Sequence, residues 1–311
     1  MPDLRAAAVR PILKWAGGKR QLLPELRRFY PRVFSRYVEP FLGSGAVFAD
    51  LYNAGLLHRR RVVLSDINAD VIGCYLMVRD RPAAVVAALR ALEGRHRQRG
   101  DAHFYEVRDR AFNPARRGVH ASADPAAAYT PALAAMLIYL NRTGFNGLFR
   151  VNARGDFNVP AGRYVRPLIC DEANLYAWSD ALNRAGVAIG VAAFDQVLEK
   201  AGQDDFVYLD PPYAPVSGTS RFTAYTAGGF DAIQQETLQR MVIALASRGA
   251  SVLLSNSAAP QIKALYARDR HARTAGLTTT TVAARRAINS RAARRGTVRE
   301  YLITNVARRS V

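Results

Sequence analysis

Cysteine is almost absent from this 311-residue chain. Cys74 and Cys170 lie far apart and at no metal-ligand spacing, which excludes a disulfide framework and a zinc module. Both are expected to be ordinary buried thiols of a cytoplasmic protein, and no metal site is expected. Long apolar runs are missing too: none reaches bilayer-spanning length, and Met1–Arg10 has no signal-peptide core, so no membrane role is expected. Acidic residues are scarce, with 25 Asp plus Glu against 44 Lys plus Arg and a net charge of +19. An excess of that size points to a polyanion, most simply nucleic acid; a generally basic composition without a specific partner is the competing reading. Lysine is scarcer still. Only Lys14, Lys19, Lys200 and Lys263 occur, and the first two lie within six residues of each other. In a chain that otherwise uses arginine, that pair suggests sites needing a compact ammonium.

With 50% hydrophobic and 22% charged residues, the chain can pack a core, as one large domain or a domain carrying a sizeable insertion. There are no internal repeats and no low-complexity linker. The most informative stretch is Asp210-Pro211-Pro212-Tyr213, which ends the apolar run Phe206–Leu209. Four apolar residues stopping at Asp-Pro-Pro read as a buried strand that ends abruptly. Two prolines stiffen the corner and remove backbone donors. A carboxylate, carbonyls and an aromatic face remain, which suits a planar substrate with an exocyclic amino group. A proline-stiffened turn with no further role is the bland alternative.

Around this corner the chain alternates strands and helices. Pro11–Lys19 carries Gly17-Gly18 between the two lysines, with Trp15 beside them, and a helix-like run follows from Gln21 to Phe29. Arg36–Phe48 reads as strand, glycine turn and helix, the first βα turn of a nucleotide-binding sheet. The next strand, Val62–Ser65, ends in Asp66-Ile67-Asn68. Asp66 is placed to accept from ribose hydroxyls, with a helix cap as the competing use. From Asn68 to about Arg90 the pattern is helical. Residues 90–125 are arginine-rich and poorly periodic, a basic surface that could meet phosphates. A helix over Pro131–Leu140 leads into a polar hairpin, 141–164, whose asparagines, arginines and aromatics fit base-edge, intercalating and phosphate contacts. Strands at 187–193 and 206–209, a loop at 214–230 acting as a mobile cover, a helix at 231–247, a strand at 250–255 and a helix at 260–268 follow. The pair 278–283 and 298–304 closes the sheet. Arg285, Arg286, Arg291, Arg294 and Arg295 between them form a candidate phosphate-binding arm.

Five of these stretches, Lys14–Lys19, Glu39–Gly45, Asp66–Asp70, the 141–164 hairpin and Asp210–Tyr213, closely resemble the Dam-type (D12 class) DNA adenine-N6 methyltransferases, in one order over about residues 11 to 305. The resemblance implies an α/β, Rossmann-like methyltransferase core: a mixed sheet with a terminal antiparallel hairpin and an inserted, mostly helical DNA-recognition domain. The division it implies is 1–68 with 171–311 for catalysis and 69–170 for recognition. It implies S-adenosylmethionine as methyl donor, no metal, and methylation of adenine N6 in double-stranded DNA, in GATC for the best-known members, with the target adenine flipped out. A monomer acting on nucleoid or phage DNA is expected. The catalytic set is Asp210, Pro211, Pro212 and Tyr213. Cofactor contacts fall on Trp15, Ala16, Gly17, Lys19, Glu39, Pro40, Phe41, Gly43, Ser44, Gly45, Asp66, Ile67, Phe194, Asp195 and Asp210. DNA contacts fall on Lys14, Arg117, Asn141, Arg142, Phe145, Asn146, Leu148, Arg150, Asn152, Asn158, Pro160, Arg163 and Tyr164. Phe145 stands where relatives often carry Tyr, which removes a hydroxyl contact, and the 291–295 arm lacks their usual glycine and lysine. Two other classes compete: a methyltransferase of RNA or of a protein glutamine, typically with Asn at the Asp210 position, and a catalytically silent DNA-binding relative, which would lose Asp210 or the Gly43–Gly45 loop.

Overall fold

The structure is a computed structural model that describes residues 8–15, 17–214, 230–285 and 297–309. Ala16, the expected cover at 215–229 and the arm at 286–296 lie outside the described residues. Seven strands form one mixed sheet: β1 (Arg36–Glu39), β2 (Arg61–Asp66), β3 (Val187–Val191), β4 (Asp205–Leu209), β5 (Ser251–Ser257), β6 (Thr278–Arg285) and β7 (Thr297–Thr304). Their order is β3-β2-β1-β4-β5-β7-β6. The first five are parallel, and β7 runs antiparallel to both β5 and β6. This is the Rossmann-like core with a terminal antiparallel pair that the sequence led us to expect.

The order places the functional end of the sheet. From β1 the chain moves outward to β2 and β3, then returns to lay β4 on the other side of β1. Such a reversal opens a crevice beyond the carboxyl ends of the central strands, where open α/β sheets bind ligands. Glu39 ends β1, Asp66 ends β2, and Asp210 follows β4 directly. The strand β4 is buried along its whole length, which explains why Phe206–Leu209 reads as an unbroken apolar run.

Helices cover the sheet, and the segment 69–170 is largely helical: Ala69–Asp80, Pro82–Arg99, Asp101–Glu106, a π-helical stretch Val107–Phe112, Asn113–His120 and Pro131–Thr143. One apolar core runs from the sheet into these helices without a break, and a smaller core lies on the other face, under Ala232–Ser247. The helical pattern over 68–90 is realised as two helices, because Pro82 pushes Arg81 out of the helical region (φ −137°). The arginine-rich stretch after residue 90 is largely helical although its sequence is poorly periodic. Only Val85, Val86, Leu89 and Leu92 of Pro82–Arg99 are buried, so its last turns show no apolar period although Arg, Glu and Gln form helix well. The 141–164 hairpin begins inside a helix. Pro131–Thr143 runs through Asn141, and the antiparallel bridges that follow are Gly144–Ala161 and Val151–Phe157. Cys74 is buried as expected, Cys170 only half-buried, and both are free thiols. Among the described residues, no helix is long and apolar enough to cross a membrane.

Candidate active site at the carboxyl ends of β1, β2 and β4

The turn after β1 keeps its backbone bare. Gly43 and Gly45 adopt left-handed conformations (φ 46° and 61°). A Cβ on Gly43 would come within 2.9 Å of the Trp15 ring, and one on Gly45 within 2.6 Å of the buried Trp178 ring. Only glycine fits either place. Ser44 between them is buried, as are Glu39 and Pro40. The Tyr37 hydroxyl donates to Glu39 at 2.8 Å. Burial pushes the Glu39 carboxyl up to about 8 against that bond and one from the Phe48 N–H, and the neighbouring Asp210 charge adds to the rise.

Asp66 faces this turn. The N–H of Gly43 donates to its Oδ2 and that of Asn68 to its Oδ1, both at 2.9 Å. Burial raises its pKa against those bonds and one from the Ile67 N–H. The helix-cap reading of Asp66 belongs instead to Asn68, whose Oδ1 accepts from the N–H groups of Asp70 and Val71. Ile67 beside it is 60% exposed, an apolar surface at the rim. Phe41 stacks on Phe194 with ring centroids 5.4 Å apart, and Phe230 closes on both rings. Asp195 holds the adjoining Gln196 N–H. Trp15, Gly43 and Asp66 thus converge on one wall, and Phe41 with Phe194 forms another. Bare backbone, a carboxylate held by two backbone N–H groups and apolar ring faces therefore meet at this end of the sheet.

Lys19 joins the Gly17 loop to the Asp-Pro-Pro-Tyr corner. Its ammonium lies 2.7 Å from Asp210 Oδ1, 4.6 Å from the Tyr213 ring centroid, and donates to the Gly17 carbonyl at 2.5 Å. Ser255 donates to the same Asp210 oxygen at 3.2 Å. Burial raises the Asp210 pKa, while Lys19 and Ser255 pull it down. The two proline carbonyls differ. That of Pro212 accepts from Gln235 Nε2 at 3.1 Å, whereas that of Pro211 accepts no hydrogen bond among the described residues. Tyr213 donates its phenol to Glu300 Oε2 at 2.6 Å.

The hairpin lies next to this corner through Lys14. Asn141, expected at the DNA, is buried. Its carboxamide accepts from the Lys14 N–H and donates to the carbonyls of Lys14 and Gly147, at 2.7, 2.8 and 3.0 Å, so it braces the chain and offers no group to a base. Arg142 is also turned inward, toward the Pro11 carbonyl. Its own carbonyl accepts from Lys14 Nζ at 2.9 Å, and that ammonium sits 3.8 Å over the Tyr164 ring. Burial, then the Arg142 charge, lowers Lys14 to about 8. Phe145, Arg150, Asn152, Pro160, Arg163 and Tyr164 are exposed, with Asn146, Leu148 and Asn158 half-buried. Arg150 donates to Asn158 Oδ1 at 2.8 Å. Asn152 uses its side-chain oxygen to close the hairpin tip, accepting from the N–H groups of Arg154 and Asp156. Arg117, expected at a phosphate, is 55% exposed and ion-paired with Asp156 at the surface.

Several contributing residues were not picked out in the sequence. Asn113 exchanges two hydrogen bonds with the backbone of Phe157, at 2.8 and 3.0 Å. Arg116 reaches the Gly155 carbonyl and pairs with the fully buried Asp70 at 2.7 Å. These bonds fasten the hairpin to the helices before it. Gln235, Asn256 and Ser257, all buried, hold the Asp-Pro-Pro-Tyr corner from behind: Asn256 donates to Gln235, and Ser257 to the Ala214 carbonyl at 2.7 Å. The available signal was the polar triplet Ser255-Asn256-Ser257 ending an otherwise apolar strand.

A family model described as D12 class N6 adenine-specific DNA methyltransferase matches residues 15–280. The chain is 33% identical to type II methyltransferase M1.LlaDCHI of Lactococcus lactis subsp. cremoris, over 96% of this chain and 95% of that one. It is 36% identical to type II methyltransferase M.MjaIII of Methanocaldococcus jannaschii, over 80% and 84% of the two chains. It is also 36% identical to the DNA adenine methylase of Escherichia coli (strain K12), over 79% and 80%. With its motifs in order and its polar corner at the switch point of the sheet, the chain belongs to the D12 class of N6 adenine-specific DNA methyltransferases.

Proposed function

We propose that the protein transfers a methyl group from S-adenosylmethionine to N6 of an adenine flipped out of double-stranded DNA, within GATC. The observation that carries this reading is the corner itself: the Asp210 carboxylate and an uncommitted Pro211 carbonyl lie in one short stretch with Tyr213, and one ammonium, that of Lys19, meets both Asp210 and the Tyr213 ring. Two acceptors beside a ring suit the two N–H groups of an adenine amino group and the base that bears them. Accepting both protons turns the N6 lone pair outward. Burial raises the Asp210 pKa against the pull of Lys19 and Ser255, which suits a carboxylate that takes up the proton N6 gives up on transfer. Taking the base out of the duplex costs a few kcal/mol, and stacking on Tyr213 returns about 1–3 kcal/mol.

When bound, S-adenosylmethionine supplies a methyl group already activated by a positively charged sulfur. Trp15, Gly43, Asp66, Ile67 and the Phe41–Phe194 pair would hold its adenosyl part, with Asp66 on the ribose hydroxyls. The enzyme's contribution is then mainly alignment of donor and acceptor. Region 69–170 is read as the recognition part, with Lys14 and Arg150 contacting the outer guanines and Phe145 entering the stack. The organisation suits a cytoplasmic protein acting on nucleoid or phage DNA as a monomer.

The test is a duplex panel containing GATC and every single-base variant, incubated with labelled S-adenosylmethionine and digested to nucleosides. N6-methyldeoxyadenosine from GATC in preference to its variants is expected. Label appearing in RNA or protein but not in duplex DNA would move the protein to one of the competing classes.

A further inference from the structure

The Asp-Pro-Pro-Tyr corner is gripped from behind at three consecutive residues by polar side chains from outside the corner. Gln235 holds the Pro212 carbonyl, Ser257 the Ala214 carbonyl, and Glu300 the Tyr213 phenol. The first two are bonds to backbone, from side chains that are themselves buried, and fix where the chain runs. The third acts on a ring that can otherwise turn about its side-chain torsions. Glu300 belongs to β7, the antiparallel strand inserted between β5 and β6, and it pairs in register with Ser257. The end of the sheet that departs from an all-parallel arrangement therefore delivers a carboxylate to the aromatic face of the site. At 2.6 Å the bond has the length of a charge-assisted O–H···O⁻ contact.

We propose that Glu300 is a positioning residue for the methyl-transfer reaction, its carboxylate anchoring the Tyr213 phenol so that the ring meets the extrahelical adenine in a single orientation. This inference rests on the reading of Asp210–Tyr213 as the target-base pocket. Burial raises the Tyr213 pKa, and the Glu300 charge adds to the rise, so the phenol remains a donor and the anchor persists at neutral pH. Lys19 bears on the ring face and Glu300 on its edge, so the ring is held at two points before any base arrives. The effect is on the chemical step and the seating of the base. The Tyr213 bond lies outside the hairpin and the glycine turn, so duplex affinity and cofactor affinity serve as the controls.

The experiment compares wild type, Glu300→Ala, Glu300→Gln, Tyr213→Phe and the Tyr213→Phe/Glu300→Ala double variant. Single-turnover methylation, 2-aminopurine fluorescence at the target position, duplex affinity and melting temperature are read for each. Glu300→Ala should slow single-turnover transfer by about tenfold or more, the loss expected for a hydrogen bond to a charged group, with unchanged duplex affinity. Glu300→Gln, which keeps an acceptor and the shape, should recover part of that rate and serves also if the alanine variant folds poorly. In the Tyr213→Phe background, Glu300→Ala should add nothing, because the phenol it acts through is gone. Equal slowing in both backgrounds, or a rate loss matched by lost duplex affinity or melting temperature, would overturn the proposal. An unaltered wild-type rate in Glu300→Ala would do so as well. Asp210→Ala runs alongside: full activity there would refute the pocket assignment itself, whereas an inactive Asp210→Ala with a normal Glu300→Ala would remove only the anchor.

Discussion

Replacing Glu39 with Gln should change how stability depends on pH, and the size of the change follows from burial. Glu39 ends β1, is 2% exposed, and has its carboxyl pushed from an ordinary 4.5 up to about 8. Between those values the folded protein holds a proton that the unfolded chain releases. Stability contributed by this group is therefore complete below pH 4.5 and declines as pH rises, until it is lost above pH 8. The slope is about 1.4 kcal/mol per pH unit, on the order of 5 kcal/mol over the whole window. For a chain of this size, 1 kcal/mol corresponds to about 2 °C in melting temperature, so pH 5.5 to 7.5 should cost wild type about 5 °C from Glu39 alone. Other groups titrate in that range. Burial lowers the pKa of His96 and His103, which gives stability that grows with pH up to their unfolded value, and it raises Asp66 and Asp210 in the same sense as Glu39. All of these are common to both proteins and cancel in the difference. Glu39→Gln carries a neutral group of the same shape at every pH, so the gap between the two melting curves should move in favour of the variant as pH rises. Scanning calorimetry at half-unit intervals measures it. Parallel curves would mean that Glu39 is ionised in the folded protein, and the burial argument would fail.

Asp66→Ala should weaken S-adenosylmethionine binding by about 1.5–3 kcal/mol, through hydrogen bonds lost to a charged group, and calorimetry on the DNA-free protein reads this directly. Unchanged affinity would leave Asp66 as only a brace for the Gly43 turn. Arg150→Ala should relax the preference at one outer base pair of the target by about 1–3 kcal/mol, seen in initial rates on the single-base panel. A uniform loss on every substrate would make Arg150 a phosphate contact. Arg117→Ala, by contrast, should weaken duplex binding evenly across the panel and reduce the salt slope by about one, since it removes an exposed cation and leaves Asp156 unpaired; unchanged affinity and slope would take Arg117 away from the phosphates.

The succession of strands along the chain and the Asp-Pro-Pro-Tyr corner were legible because their signals are local. An apolar run ending in Asp-Pro-Pro, a Gly-Ser-Gly turn and an acid at a strand tip each announce their geometry within a few residues. The helices after residue 90 were hidden because their surface turns are arginine-rich and bury little, so no apolar period marks them. Asn141 was misplaced for a different reason. An asparagine next to a polar loop looks solvent-facing, and only the approach of Lys14, 127 residues away, shows it turned inward. The same holds for Glu300 and Tyr213, 87 residues apart, and for Arg116 and Asp70. Long-range polar pairs leave no periodic trace in a sequence.

The central claim is that Asp210 accepts the amino protons of the target adenine. Plasmid DNA from cells carrying the wild-type chain or Asp210→Ala, digested and assayed by mass spectrometry for N6-methyldeoxyadenosine, tests it most directly. Modified adenine with the wild-type chain and none above background with Asp210→Ala is the predicted result, with duplex binding retained because phosphate contacts elsewhere hold the DNA. Methylation by Asp210→Ala near the wild-type level would contradict it.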